Sequence, residues 1–153
     1  MGVDAPWVFR RSIDRSGLAD SLLGEVPVAE RLARLLVVED EMFIRSAMED
    51  FFTMRKYSVD CASEWEEAEA LFAMKTYDIV ITDLRLTGFG GTEGLEIIGF
   101  VRQRYPTTKL ILLTGFGNGE IEAEAKRRGV DVFLHKPISL PELARVADSL
   151  LSP

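Results

Sequence analysis

Ile79-Val80-Ile81-Thr82-Asp83-Leu84-Arg85-Leu86 is an apolar run that ends abruptly in one carboxylate, and its reading decides the fold. Val, Ile and Thr favour extended backbone and Asp does not, so the run predicts a buried parallel strand with Asp83 at its carboxyl end. In an open α/β sheet that end is where ligands bind. A second run of the same kind, Leu35-Leu36-Val37-Val38, ends in Glu39-Asp40. If the two strands are neighbours, three carboxylates meet at one sheet edge. Such a group repels itself and needs a cation. The hard ion that suits a few carboxylate oxygens while keeping waters for a phosphate is Mg²⁺. Any one of these acids alone reads more readily as a helix cap or turn residue; the set of three carries the argument.

Outward from these runs, strand and helix alternate. Residues 41–55 place Ile44, Ala47, Met48, Phe51 and Phe52 at helical spacing, which predicts a helix burying that stripe against the sheet. Residues 57–61 read as a short second strand. Residues 64–75 read as a helix with Trp65, Ala68, Leu71 and Phe72 inward and Glu64, Glu66, Glu67 and Glu69 solvated. After the strand that holds Asp83, residues 84–94 contain Gly88, Gly90, Gly91 and Gly94, too many glycines for a helix, so a loop is expected at the same edge. A third helix follows over 95–104, stopped by Pro106. Lys109-Leu110-Ile111-Leu112-Leu113-Thr114 is strand four, with a hydroxyl at its end. A glycine-rich turn leads into a helix over 120–128 that Gly129 ends in the C′ position. Residues 131–134 form strand five and run into His135-Lys136-Pro137. Ser139 caps a last helix over 140–151, with Pro141 and Glu142 in its first turn. Five strands alternating with helices predict an α/β fold: a doubly wound five-stranded parallel sheet with helices on both faces. The order 2-1-3-4-5 is the attractive one, because it sets strand one beside strand three and makes Glu39, Asp40 and Asp83 converge.

Composition bounds the function. With 153 residues and 47% hydrophobic content the chain can bury one proper core, expected over residues 34–153. Residues 1–33 read as an N-terminal extension broken by Gly2, Gly17, Gly24, Pro6 and Pro27. Trp7-Val8-Phe9 and the apolar 18–28 stretch leave two readings open for it: a poorly ordered terminus, or an arm covering the domain or a partner. A net charge of −7 speaks against a nucleic-acid surface, although Lys126-Arg127-Arg128 is a local basic patch. Cys61 is the single cysteine and His135 the single histidine, so neither an internal disulfide nor a zinc site is expected, and a reducing cytoplasm fits. No run reaches the roughly 18 apolar residues of a membrane span, and no cleavable leader is evident. Nothing after the last helix reads as an output domain, so output is expected through protein contacts.

At these residues the chain resembles the response-regulator receiver domain of two-component signalling, over about residues 34–151. The resemblance rests on Glu39-Asp40, on Asp83 in the phosphoacceptor place, on Thr114 followed by Gly115, on Lys136-Pro137, and on the aromatic Phe133 three residues before that lysine. It implies that Asp83 accepts a phosphoryl group from a histidine kinase or a histidine phosphotransfer protein. It further implies that Asp40, Asp83 and the backbone carbonyl of Arg85 bind Mg²⁺, that Glu39 holds metal-bound water, and that the Lys136-Pro137 bond is cis. Lys136 and Thr114 would meet the phosphoryl oxygens as cation and hydroxyl donor. Thr114 and Phe133 would act as the switch that changes a face read by a downstream protein partner, with the receiver a monomer or homodimer. The only catalysis implied is of its own phosphorylation and dephosphorylation.

The chain departs from the family in three places. Thr87 stands where a proline is common, the glycine-rich stretch before Leu95 is about three residues longer, and Arg85 and Phe116 occupy positions that screen the attacking water. The phosphoryl lifetime is therefore open. Two other readings keep the resemblance without the switch: a receiver-like interaction module that is never phosphorylated, and a phosphate sink. A haloacid-dehalogenase-type phosphatase would need an acid where Arg85 stands. A flavodoxin-like carrier would need a Ser/Thr/Gly phosphate loop where the chain has Glu39-Asp40-Glu41.

Overall fold

The apolar runs form the strands they predict. The computed structural model describes residues 31–86, 91–115 and 118–153, of which Ala33–Pro153 form one compact unit. In chain order the elements are β1 (Ala33–Val38), α1 (Met42–Met54), β2 (Tyr57–Ala62), α2 (Trp65–Phe72), β3 (Ile79–Asp83), α3 (Glu93–Arg104), β4 (Lys109–Thr114), α4 (Gly119–Arg128), β5 (Val132–His135) and α5 (Leu140–Leu151). All strand pairs are parallel, in the order β2-β1-β3-β4-β5. This is the 2-1-3-4-5 doubly wound sheet that the sequence predicts. The apolar 1–30 stretch with Trp7, Val8 and Phe9, the loop positions 87–90 with Thr87, and Phe116 all lie outside the described residues.

Strand side chains alternate between two cores. Leu35, Val37, Ile79, Ile81, Ile111 and Leu113 face Met48 and Phe52 of α1 and Leu143, Ala144 and Ala147 of α5. Leu36, Val38, Val80, Leu110 and Leu112 face Ala68 and Phe72 of α2, Ile97, Ile98 and Val101 of α3, and Ala125 of α4. Because both faces are covered, the central strands are apolar at almost every position. The register sets Leu35 beside Ile79 and Val38 beside Thr82, then Ile79 beside Lys109 and Asp83 beside Leu113. Caps follow the sequence signals. The Ser139 hydroxyl accepts from the Glu142 N–H at 3.2 Å, and Gly129 ends α4 with φ 102°.

Two expectations need correction. The α1 stripe is only half buried: Met48 and Phe52 enter the core, but Ile44 is 41% exposed and Ala47 is exposed. Ile44 and Ala47 instead line a cavity that they share with Leu113, Pro137, Ile138 and Leu140. The helix predicted from Leu95 starts at Glu93, so Gly94 is helical and not part of the loop. A methyl group there would run into the Asp83 carbonyl oxygen and come within 2.8 Å of the Leu84 Cα. Glycine lets the helix begin against the strand's backbone, and the Gly94 N–H donates to the Leu84 carbonyl at 2.9 Å.

At the amino edge of the sheet, Arg102 joins three segments. Its guanidinium donates to the carbonyls of Gly129 (2.9 and 3.1 Å), Pro106 (2.6 Å) and Thr108 (3.0 Å), and to the Asp131 carboxylate (2.8 Å). The same Asp131 oxygen accepts the Leu110 N–H at 2.7 Å. A fork of five donors suits such a junction, and a lysine could not reproduce it.

Two measurements follow from local backbone and burial. Lys56 is a non-glycine residue with φ 72° just after α1. Because the left-handed region is costly for a residue with a Cβ, Lys56→Gly is expected to raise stability by about 0.5–1 kcal/mol in denaturant unfolding. Burial, reinforced by the Glu49 charge, pushes the Cys61 thiol up from 9.0 to about 12. At pH 8 the folded protein then holds roughly a thousandfold less thiolate than the denatured chain, and since the thiolate is the nucleophile its reaction with Ellman's reagent should be slower by at least about an order of magnitude.

Candidate functional site

The carboxyl edge of the sheet brings the predicted acids together. β1 and β3 are adjacent, so Glu39 and Asp40, just past β1, come level with Asp83 at the end of β3. One oxygen from each of Glu39, Asp40 and Asp83 lies within 4.8 Å of the others. Their environments differ: Glu39 is 2% exposed, Asp83 is intermediate and Asp40 is exposed. Lys136 enters from the far side, directly after β5, and its Nζ sits 3.0 Å from Asp83 Oδ2 and 3.2 Å from Glu39 Oε1. Its backbone N–H donates to the Thr114 carbonyl at 2.9 Å, which extends the β4–β5 ladder into the site. The Lys136-Pro137 bond is cis.

The electrostatics are not symmetrical. Burial raises the Glu39 pKa above its ordinary value, and the Asp83 charge adds to the rise. The Glu41 N–H (3.1 Å from Oε2) and Lys136 offset only part of it. For Lys136, burial acts to lower the pKa, but the hydrogen bond and charge of Asp83, joined by Glu39, outweigh it, and the ammonium is held above its ordinary range. One lysine shared between two carboxylates is doubly stabilised, whereas the deeply buried Glu39 has only a share of one cation. Three carboxylates and one ammonium leave negative charge uncancelled in an oxygen-only donor set. That set fits a hard divalent cation such as Mg²⁺.

The other predicted residues sit around this cluster. Thr114 is fully buried at the end of β4, next to β3. Gly115 is exposed, and a methyl group added there would meet no described atom within 4 Å. Arg85 is exposed two residues beyond Asp83, in the turn between the buried Leu84 and Leu86. Phe133 is level with Leu112 in the ladder, packs on the α2–α3–α4 core, and meets His135 edge-on at 5.3 Å between ring centroids. Two contributors escaped the sequence reading. Gly94 reads as loop; its signal is a glycine immediately before the apolar helical repeat Leu95, Ile98 and Val101. Arg45, one turn into α1, donates to the Glu39 carbonyl at 2.8 Å and the Asp40 carbonyl at 3.3 Å.

Beside the cluster an apolar cavity of about 640 Å³ is lined by Phe43, Ile44, Met48, Pro137, Ile138 and Leu140 among others. Its rim is exposed: Phe43 and Ile44 are 75% and 41% accessible. Among the described residues no helix is long and apolar enough to cross a membrane.

Comparison with known proteins agrees with this geometry. The family model described as the response regulator receiver domain matches residues 35–148. The response regulator protein PilR of Pseudomonas aeruginosa is 30% identical over 118 residues, covering 77% of this chain and 26% of PilR. The transcriptional regulatory protein ResD of Bacillus subtilis is also 30% identical over 118 residues, covering 77% of this chain and 48% of ResD. The chain thus spans between a quarter and a half of these relatives. Among solved structures, the signal receiver domain of an HD domain-containing protein from Pseudomonas fluorescens Pf-5 superposes with a TM-score of 0.71 at 26% identity, covering 79% of this chain and 95% of that one. The beryllofluoride-activated NtrC4 receiver domain, described as a dimer, gives 0.69 at 26% identity, covering 76% and 94%.

Proposed function

This chain belongs to the response regulator receiver family of two-component systems, and on that premise we propose that it accepts a phosphoryl group on Asp83 and passes the change to a protein partner. The observation that carries the reading is the convergence of Glu39, Asp40 and Asp83 within 4.8 Å, with Lys136 bonded to Asp83 at 3.0 Å. Asp83 Oδ forms a bond to phosphorus as the P–N bond of a phosphohistidine breaks, and the leaving imidazole nitrogen takes up a proton. Asp40, Asp83 and the Arg85 carbonyl would hold Mg²⁺, with Glu39 reaching it through water; when bound, the ion neutralises charge on the transferring group. Lys136 is the protein's own cation for a phosphoryl oxygen, and it is already charged and in place. The Thr114 hydroxyl supplies a donor to another oxygen, and its movement toward the phosphoryl opens space that Phe133 can enter. Gly115 leaves the approach to Asp83 open.

The donor is a protein, a histidine kinase or histidine phosphotransfer protein, and the apolar rim supports this part of the reading. Two exposed apolar side chains at the start of α1, Phe43 and Ile44, which line the apolar cavity with Lys136 and Pro137, suit a macromolecular surface and serve no need of a small phosphodonor. A downstream partner would read the face of α4, β5 and α5. Partner binding and phosphorylation would then favour each other by the same factor.

Isothermal titration with Mg²⁺ is expected to show one site that Asp83→Asn weakens by roughly tenfold or more, because charge count sets affinity in such sites. A small phosphodonor with Mg²⁺ should label the parent on Asp83 and leave Asp83→Asn unlabelled. Equal Mg²⁺ uptake by both proteins, or labelling elsewhere, would sink the reading. With beryllofluoride, NMR shifts should spread from Asp83 through Thr114 and Phe133 to α4, and Thr114→Ala should confine them to the metal site.

Phe43→Asp separates the two kinds of donor. It is expected to slow labelling by a cognate phosphorylated kinase about tenfold, as loss of an apolar interface anchor does, while leaving labelling by acetyl phosphate within twofold. Equal slowing with both donors would place the defect in the acidic site and remove the docking role.

A further inference from the structure

Arg45 touches neither a predicted metal ligand's carboxylate nor Lys136, yet it is tied to the turn that carries two of the three acids. β1 ends at Val38, and the chain must reverse within Glu39, Asp40 and Glu41 before α1 begins. Glu39 and Glu41 have their own fastenings. The Glu39 N–H donates to the Ala62 carbonyl at 3.0 Å, and the Glu41 N–H donates to Glu39 Oε2 at 3.1 Å. The Glu41 carboxylate caps α1 by accepting the Ile44 N–H at 3.0 Å. The Glu39 and Asp40 carbonyls point instead to one place: Nη1 of Arg45, at 2.8 Å from Glu39 O and 3.3 Å from Asp40 O. Since the Arg45 N–H donates to the Glu41 carbonyl at 2.9 Å, its Cα is fixed by the helix, and the half-buried guanidinium folds back over the turn.

Asp40 is the exposed acid of the three and receives no direct bond from Lys136 among the described residues. Its carboxylate is aimed only by its backbone. The Glu39 and Asp40 carbonyls lie in the two peptide planes that flank the Asp40 Cα, so bridging them fixes the planes that set this direction, and the guanidinium does so with a charge-assisted donor. From this we propose that Arg45 is a positioning residue for the Mg²⁺ site: it holds the Glu39–Asp40 turn so that the Asp40 carboxylate meets Asp83 across the gap between β1 and β3. The inference deepens the proposed function and rests on it for the identity of the ion.

The charge of Arg45 works against a divalent cation, and its hydrogen bonds work for one. Two substitutions separate these effects. Arg45→Met removes both with little loss of volume; Arg45→Lys keeps the charge and one donor group on a side chain one bond shorter. Mg²⁺ affinity is read by titration at a temperature where circular dichroism shows each protein fully folded. Arg45→Met is expected to weaken binding five- to twentyfold, on the order of outer partners in other metal sites, and Arg45→Lys to recover to within about threefold of the parent. A merely structural role would lower the melting temperature of both variants and leave affinity in the folded protein unchanged. In the metal-free proteins, the Asp40 and Glu41 amide resonances should be sharp in the parent and in Arg45→Lys, and broadened or shifted in Arg45→Met. If Arg45→Met binds Mg²⁺ as tightly as the parent, or Arg45→Lys fares no better than Met, the proposal fails. A parent that binds no Mg²⁺ would instead overturn the functional reading, and unchanged amide resonances in Arg45→Met would then reject the role of Arg45 by themselves.

Discussion

The parallel pairing of β1 with β3 is the constraint on which the rest of the molecule depends. It forces Glu39, Asp40 and Asp83 to one edge, where their mutual repulsion acts against the fold. The register cannot relax to relieve that repulsion. A slip of one residue would turn Leu35 and Val37 away from Phe52 and Met48 and exchange the two apolar cores. The burial of two cores thus holds in place a cluster of charges that would otherwise separate. Lys136, delivered from two strands away by the β4–β5 ladder, removes part of the strain, and the remainder is available to a bound cation.

How much of this was legible in the sequence follows from which forces act locally. The central strands were readable because burial on both faces leaves nearly every position apolar, and Asp83, Thr114 and Lys136 were readable because each interrupts such a run. Caps at Ser139 and Gly129 are local chemistry and were equally plain. Ile44 is misjudged because helical periodicity reports an apolar face without reporting what packs on it. Its exposure on a cavity shared with Leu113, Ile138 and Leu140 is a tertiary fact. Gly94 reads as a helix breaker by propensity, but close approach to the Asp83 and Leu84 backbone decides its place, and that approach has no signature in the sequence. Arg45 and Arg102 are charged residues on amphipathic helices, where a solvated face is the default expectation. Only the fold reveals the carbonyls that gather around them.

The two edges of the sheet are held by different means. At the amino edge the Arg102 junction joins the end of α3 to the starts of β4 and β5, while Asp78 accepts the Arg34 N–H at 2.7 Å beside β1. Arg102 saturates several carbonyls at once, so this edge has little freedom. At the carboxyl edge the contacts are ion pairs among groups of like and unlike charge, which change with every ion or charged group that arrives. On the proposed reading the fold keeps its core while altering one face, and this division suits it, since rearrangement at the ionic edge leaves the junction at the other edge intact.

Helix α4 connects these two edges, and its packing shows which end can move. Only Ala125 is fully buried, and the ion pairs of Glu122 with Lys126 and of Glu124 with Arg127 and Arg128 tie the helix to itself and not to the sheet. Its carboxyl end is fixed: the Gly129 carbonyl accepts two bonds from Arg102, and the Val130 N–H donates to the Ala125 carbonyl at 3.1 Å. The amino end, at Asn118, follows Thr114 by four residues and anchors chiefly through the half-buried Ile121. Tilting α4 about its carboxyl end would therefore expose little apolar surface, whereas moving α3, with Leu95, Ile97, Ile98 and Val101 buried, would cost several times more. On the proposed reading, a displacement of Thr114 reaches the surface along the path of least apolar loss. That path runs through the amino end of α4 and past Phe133, because Arg102 prevents the opposite end from following.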